Sequence, residues 1–137
     1  MAKVFISYRR DDTGKTVWRL FDWLERQFGT DDIFFDREII RPGDKWPHVL
    51  EQRLAECEVL IVVIGPRWLT IADERGQPRL WVDGDYVAYE VSSCLSRGIR
   101  VIPVLIDNTR MPDRKDLPPA LSGLSDNQAL SLEDAHF

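Results

Sequence analysis

The sequence predicts an α/β domain, a parallel sheet with helices on both faces, and three observations carry that expectation. Short runs rich in β-branched residues alternate along the chain with segments of helical periodicity. The run Val59-Leu60-Ile61-Val62-Val63-Ile64 shows no polar alternation, so a strand there must be covered on both faces. A length of 137 residues suits one domain able to bury a real core, and strands of that kind alternating with helices form a sheet sandwiched between helical layers.

Lys3 to Tyr8 is a β-branched and aromatic run ended by the polar cluster Arg9-Arg10-Asp11-Asp12, and reads as a buried first strand. From Thr13 or Gly14 to about Phe28, the residues Val17, Leu20, Phe21, Leu24 and Phe28 recur at helical spacing until Gly29 stops the pattern. Asp32 to Phe35 is a second, shorter strand. Asp36 to Lys45 holds charged residues, Pro42 and Gly43, with Ile39 and Ile40 as its apolar pair, and reads as a long loop projecting from the strand end. Trp46 to Glu56 is a second helix with Val49, Leu50, Leu54 and Cys57 on one side, followed by the strand Val59 to Ile64.

Gly65 to Gly84 is irregular, and a third helix runs from Asp85 to about Ser96, ended by Gly98. Val101 to Ile106 is a fourth strand, in which Pro103 argues for a place near an edge or a bulge. After the Pro-rich stretch from Met111 to Pro119 and a turn at Ala120 to Leu124, Ala129 to Leu132 makes a fifth strand. Doubly wound sheets commonly place a covering helix after the last strand. None is patterned here, so the final helix is expected to be missing or truncated, and residues 1–137 to be one domain, either trimmed or the head of a longer protein.

Composition narrows the function classes. At 44% hydrophobic and 30% charged, the chain is an ordinary globular protein rather than a disordered or disulfide-stapled one. A net charge of −5 gives no footprint for a nucleic-acid backbone, so no direct nucleic-acid partner is expected. No apolar run approaches the roughly 20 residues that span a bilayer. No export signal is encoded at the N-terminus, and residence in the cytoplasm, away from membranes, is expected. Cys57 and Cys94 fall in predicted helices without metal-ligand or redox spacing, and read as small buried apolar side chains. Neither His48 nor His136 has a partner at metal-binding spacing, so no metal site is expected. Trp18, Trp23 and Trp68 read as core or packing residues.

Three segments resemble one family. Val4-Phe5-Ile6-Ser7-Tyr8-Arg9-Arg10 resembles the first conserved box of Toll/interleukin receptor (TIR) domains. Arg41-Pro42-Gly43-Asp44 with Trp46 is similar to the second box, in the loop after the second strand. Trp81 through Tyr86-Val87-Ala88-Tyr89-Glu90 is similar to the third-helix segment, where enzymatic members carry an aromatic residue followed four positions later by glutamate; Tyr86 stands where many of them have tryptophan. The resemblance covers most of the chain. It implies a flavodoxin-like three-layer sandwich with a five-stranded parallel sheet in the order 2-1-3-4-5.

The resemblance also implies an activity of the bacterial NAD-cleaving type. Positions four apart share a helix flank, which places Tyr86 and Glu90 on one side of the third helix. In such folds ligands bind outside the carboxyl ends of the strands, where the loops after the first two strands also emerge. Ser7, Tyr8, Arg9, Arg10, Asp36, Lys45, Trp46 and Tyr86 are the expected NAD contacts, with Arg for the pyrophosphate and aromatic rings for stacking. Glu90 is the expected catalytic group. Nicotinamide in NAD is a cationic leaving group that needs no general acid, so one carboxylate suffices to steady an oxocarbenium-like state at the ribose. The products implied are nicotinamide with ADP-ribose or a cyclic isomer. NAD enters as substrate, and no cofactor is expected.

Other readings stand beside these. A glutamate on an amphipathic helix ordinarily faces solvent. The Arg9 to Asp12 cluster is compatible with a solvated strand end that caps the next helix as well as with ligand contact. The loop residues Ile39, Ile40, Arg41, Pro42, Gly43 and Asp44 form, by resemblance, an interaction loop for neighbouring TIR domains, with Ile39 and Ile40 as candidate anchors. The leading expectation is an NAD glycohydrolase or cyclase activated by self-association, in bacterial anti-phage defence. The alternative is a non-enzymatic adaptor working through TIR–TIR contacts. A response regulator would need a phospho-accepting Asp at the third strand end, where this chain reads Ile64-Gly65-Pro66.

Overall fold

The computed structural model describes residues 3–28, 33–35 and 46–132. In chain order the elements are β1 (Val4–Ser7), α1 (Arg10–Phe28), β2 (Ile33–Phe35), α2 (Trp46–Glu56), β3 (Val59–Ile64), α3 (Tyr86–Ser96), β4 (Arg100–Ile106) and β5 (Leu130–Leu132). Short 3-10 segments lie at Arg79–Trp81, Arg114–Asp116 and Pro119–Asp126. The strands pair in parallel in one sheet, ordered β2-β1-β3-β4-β5. Val4 is in register with Val59, and Ser7 with Val62.

The unbroken apolar run of β3 is explained by a core on each side of the sheet. Ile61 and Val63 face one side, where they join Val4, Ile6, Val104 and Ile106 under the α1 stripe of Val17, Leu20, Phe21 and Leu24. Leu60, Val62 and Ile64 face the other, against Leu54 of α2, Val87, Val91 and Cys94 of α3, and Leu117, Leu121 and Leu124. The expected α/β class with a parallel sheet is what the chain forms.

Several boundaries and placements differ from the sequence reading. α1 begins at Arg10, three residues before Thr13, because the first turn of a helix needs no apolar stripe and tolerates charge. Asp85 is not the first residue of α3 but its N-cap, in extended backbone. Cys57 lies just past the end of α2 rather than inside it, and both thiols are free and buried. Trp68 is a core residue, whereas Trp23 is 51% exposed and Trp18 sits at the margin with its ring edge-on to Phe21 at 6.0 Å. Trp18 and Trp23 fall off the α1 stripe that faces the sheet, so helical geometry turns them outward. Pro103 lies inside β4, flanked by β3 and β5, without a bulge in its pairing with Val62. The β5 ladder starts only at Val104, and the Val101 carbonyl on that side accepts from the Asn127 side chain at 2.9 Å instead. Alternation along the strand puts the missing N–H of Pro103 on that same unladdered side. The expectation of a missing or truncated final helix concerns residues after Leu132, outside the described residues.

Candidate functional site

The site is built from two elements that meet at the carboxyl ends of the strands. β1 ends on Ser7, which is wholly buried. α3 starts at Tyr86 on a cap supplied by Asp85, whose carboxylate accepts from the Ala88 N–H at 3.0 Å. That cap satisfies one of the donors a helix start leaves open. Along α3 the buried residues are Val87, Glu90, Val91 and Cys94, spaced three, four and seven from the first. A carboxylate therefore occupies a core-facing position on an otherwise apolar stripe.

Glu90 is 0% exposed, and the Ser7 hydroxyl donates to its Oε1 at 2.8 Å. The solvent-facing expectation for a helical glutamate is overturned here, because the stripe that packs α3 on the sheet runs through this position. One turn further along, contact with Cys57 and burial push the Cys94 thiol up, and the Glu90 charge adds in the same direction. One turn before Glu90, Tyr86 is 39% exposed. A solvent-facing ring thus precedes a carboxylate held inside.

Arg9 follows β1 and is turned inward. Its two terminal nitrogens donate to the two carboxylate oxygens of Asp85, at 2.6 and 2.9 Å, in a fork-on-carboxylate pair. The two side chains are only 7% and 9% exposed. Tyr8 is buried in the core beneath α1. Asp12, in the first turn of α1, accepts the Arg67 backbone N–H at 2.9 Å from the loop after β3. Burial pushes its carboxyl above the usual range, against the pull of backbone hydrogen bonds from Arg67 and Gly65.

Of the residues singled out from sequence, the structure brings together Ser7 and Glu90, with Arg9 and Tyr86 at the same two element ends. Arg10 opens α1 and Trp46 opens α2, but their side chains lie outside the described residues. Asp36, Lys45 and the loop residues Ile39, Ile40, Arg41, Pro42, Gly43 and Asp44 also lie outside them. Asp85 was not singled out. An acidic residue immediately before an amphipathic run is an N-cap signature, and that signal was available at Gly84-Asp85.

A wound parallel sheet with a buried hydroxyl–carboxylate pair at the carboxyl end of β1 defines an α/β sandwich domain whose candidate site lies at the end of the sheet where such folds bind ligands. A family model described as TIR domain matches residues 4–136, and the chain belongs to that family. Among solved structures, the TIR domains of the activated Roq1 resistosome, which directly recognises the pathogen effector XopQ, superpose with a TM-score of 0.69 at 18% identity. That match covers 96% of this chain and 88% of the other. A metazoan TIR-STING receptor from C. gigas, in complex with 2',3'-cGAMP, gives a TM-score of 0.66 at 22% identity. There 96% of this chain matches 35% of the longer receptor. Comparison with curated proteins gives no significant match.

Proposed function

We propose that this TIR domain cleaves NAD at the nicotinamide–ribose bond, with Glu90 as the catalytic carboxylate. The observation that carries the reading is the wholly buried Glu90, accepting from the Ser7 hydroxyl at 2.8 Å at the carboxyl end of β1. A carboxylate on a core stripe is costly to desolvate, and such groups persist chiefly where chemistry needs them. The Ser7 hydroxyl donates to Glu90 as a ribose hydroxyl would.

In the proposed reaction the C–N bond to nicotinamide breaks, and its electron pair leaves with the ring, which becomes neutral. Positive charge develops on the ribose, where the negative Glu90 stabilises it. Water then adds to the sugar and loses a proton to give ADP-ribose; attack by another group of the same nucleotide gives a cyclic isomer. Tyr86 offers a face for stacking, and Arg10, Asp36, Lys45 and Trp46 complete the proposed NAD contacts.

The burial of Glu90 in the single chain fits a site that opens when domains assemble. The Roq1 neighbour is itself the TIR portion of an activated resistosome. Self-association through the loop from Ile39 to Asp44, residence in the cytoplasm and a role in bacterial anti-phage defence belong to the same proposal. The test is nicotinamide release from NAD by the protein at high concentration or in forced assemblies. Glu90→Gln is expected to abolish release. Equal release by the variant, with assembly verified, overturns the assignment and leaves the non-enzymatic adaptor as the reading.

A further inference from the structure

Among the described residues, two polar contacts tie the end of β1 to α3, beside the apolar packing of Val87, Val91 and Cys94 on the sheet. Ser7 and Glu90 meet in one hydrogen bond, and Arg9, two residues after Ser7, meets Asp85, five residues before Glu90, in a two-bond ion pair. Apolar packing is non-directional, and one hydrogen bond beside it does not by itself fix the direction of the first turn of α3. A second, forked attachment at the helix cap does so, because a guanidinium fixes a carboxylate in plane as well as in distance.

Asp85 also carries the cap. Its Oδ2 accepts both from Arg9 at 2.9 Å and from the Ala88 N–H at 3.0 Å, so a displacement of the ion pair is passed directly to the first turn of α3. Glu90 is the next core-facing residue after Val87 on that helix. The pair is nearly dry, with side chains 7% and 9% exposed, so removing one partner strands a buried charge.

We infer that Arg9 and Asp85 are positioning residues, a clamp that sets the depth and orientation of Glu90 for the proposed reaction, and that Arg9 serves in this way rather than as a ligand for the NAD pyrophosphate. The inference rests on the NAD-cleaving role of Glu90. It reassigns the first arginine of the sequence motif and leaves the pyrophosphate to other cations.

The test compares wild type with Arg9→Gln, Arg9→Lys, Asp85→Asn and the Arg9→Gln/Asp85→Asn double variant. Asp85→Asn retains an oxygen to cap the helix and so separates loss of the ion pair from loss of the cap. With NAD as substrate and assemblies verified, Asp85→Asn and Arg9→Gln are each expected to lower kcat by about 10- to 100-fold. KM should stay within about 3-fold of wild type. Arg9→Lys is expected to recover part of the loss, and the double variant to be no worse than the poorer single, since a neutral pair strands no charge. A raised KM with wild-type kcat in Arg9→Gln makes Arg9 a substrate ligand and overturns the clamp.

Amide hydrogen exchange supplies a readout that needs no activity. Exchange at Ala88 to Glu90 should quicken by about 10-fold or more in each uncharged single variant and recover partly in Arg9→Lys. Unchanged exchange overturns the clamp even where no variant turns over. Wild-type release by Glu90→Gln, or no release from any assembled form, overturns the NAD reading alone, while the exchange pattern still decides whether Arg9 and Asp85 hold the helix.

Discussion

At the scale of single residues, Glu90 sits among Val87, Val91 and Cys94 on the buried side of α3, where an apolar side chain would pack at less cost. Glutamine keeps an oxygen to accept from Ser7 and removes the charge. Glu90→Gln should therefore melt at or above the wild-type temperature while losing nicotinamide release, a separation of stability from function that calorimetry and the activity assay read together. Asp12 offers a second charge to test. Burial raises its folded-state pKa above the unfolded value, so the folded chain holds the extra proton more firmly, and the stability this contributes is lost as pH rises through the raised pKa. The difference in melting temperature between Asp12→Asn and wild type should move in favour of the variant as pH is raised from about 4 to about 7. A constant difference across that range would show that Asp12 titrates normally.

Among elements, α1 and α3 show how far periodicity reaches. The stripe Val17, Leu20, Phe21, Leu24 was legible because spacing alone places it on one face. The α3 stripe was equally legible in principle, but Glu90 interrupts it, and a charged residue at a core-facing position is read as solvent-facing until the helix is docked. Helix ends were less legible: the start of α1 carries no apolar signal, and Asp85 belongs to the cap rather than the helix. Past α3, Gly98 adopts φ +70 in open space. A side chain there meets no neighbour, so the left-handed backbone alone sets the cost. Gly98→Ala should destabilise by about 1 kcal/mol in denaturant unfolding, without altering the site.

For the whole molecule, the two helical layers seal the sheet, and both cysteines lie inside the layer formed by α2 and α3. The Cys57 thiol donates to the Val59 carbonyl at 3.1 Å, and the neighbouring Cys57 together with burial pushes the Cys94 thiol up. Neither should react with a thiol reagent in the native state, and both should react on unfolding; rapid native labelling would show that the layer between α2 and α3 opens. In the folded chain Ser7 and Glu90 are interior groups, and Tyr86 is the exposed one.

The order of apolar and polar residues was by itself enough to determine the α/β class, the place of each strand and helix to within a few residues, and the presence of a core on both faces of β3. Those features follow from local periodicity, which a chain carries in one dimension. Only the tertiary structure decided that Glu90 points inward onto Ser7 and that Arg9 closes on Asp85, because partners 83 and 76 residues apart are brought together by the winding of the sheet. Resemblance to the family singled out Glu90 and Arg9; docking α3 against β1 is what made one a buried acceptor and turned the other toward a helix cap.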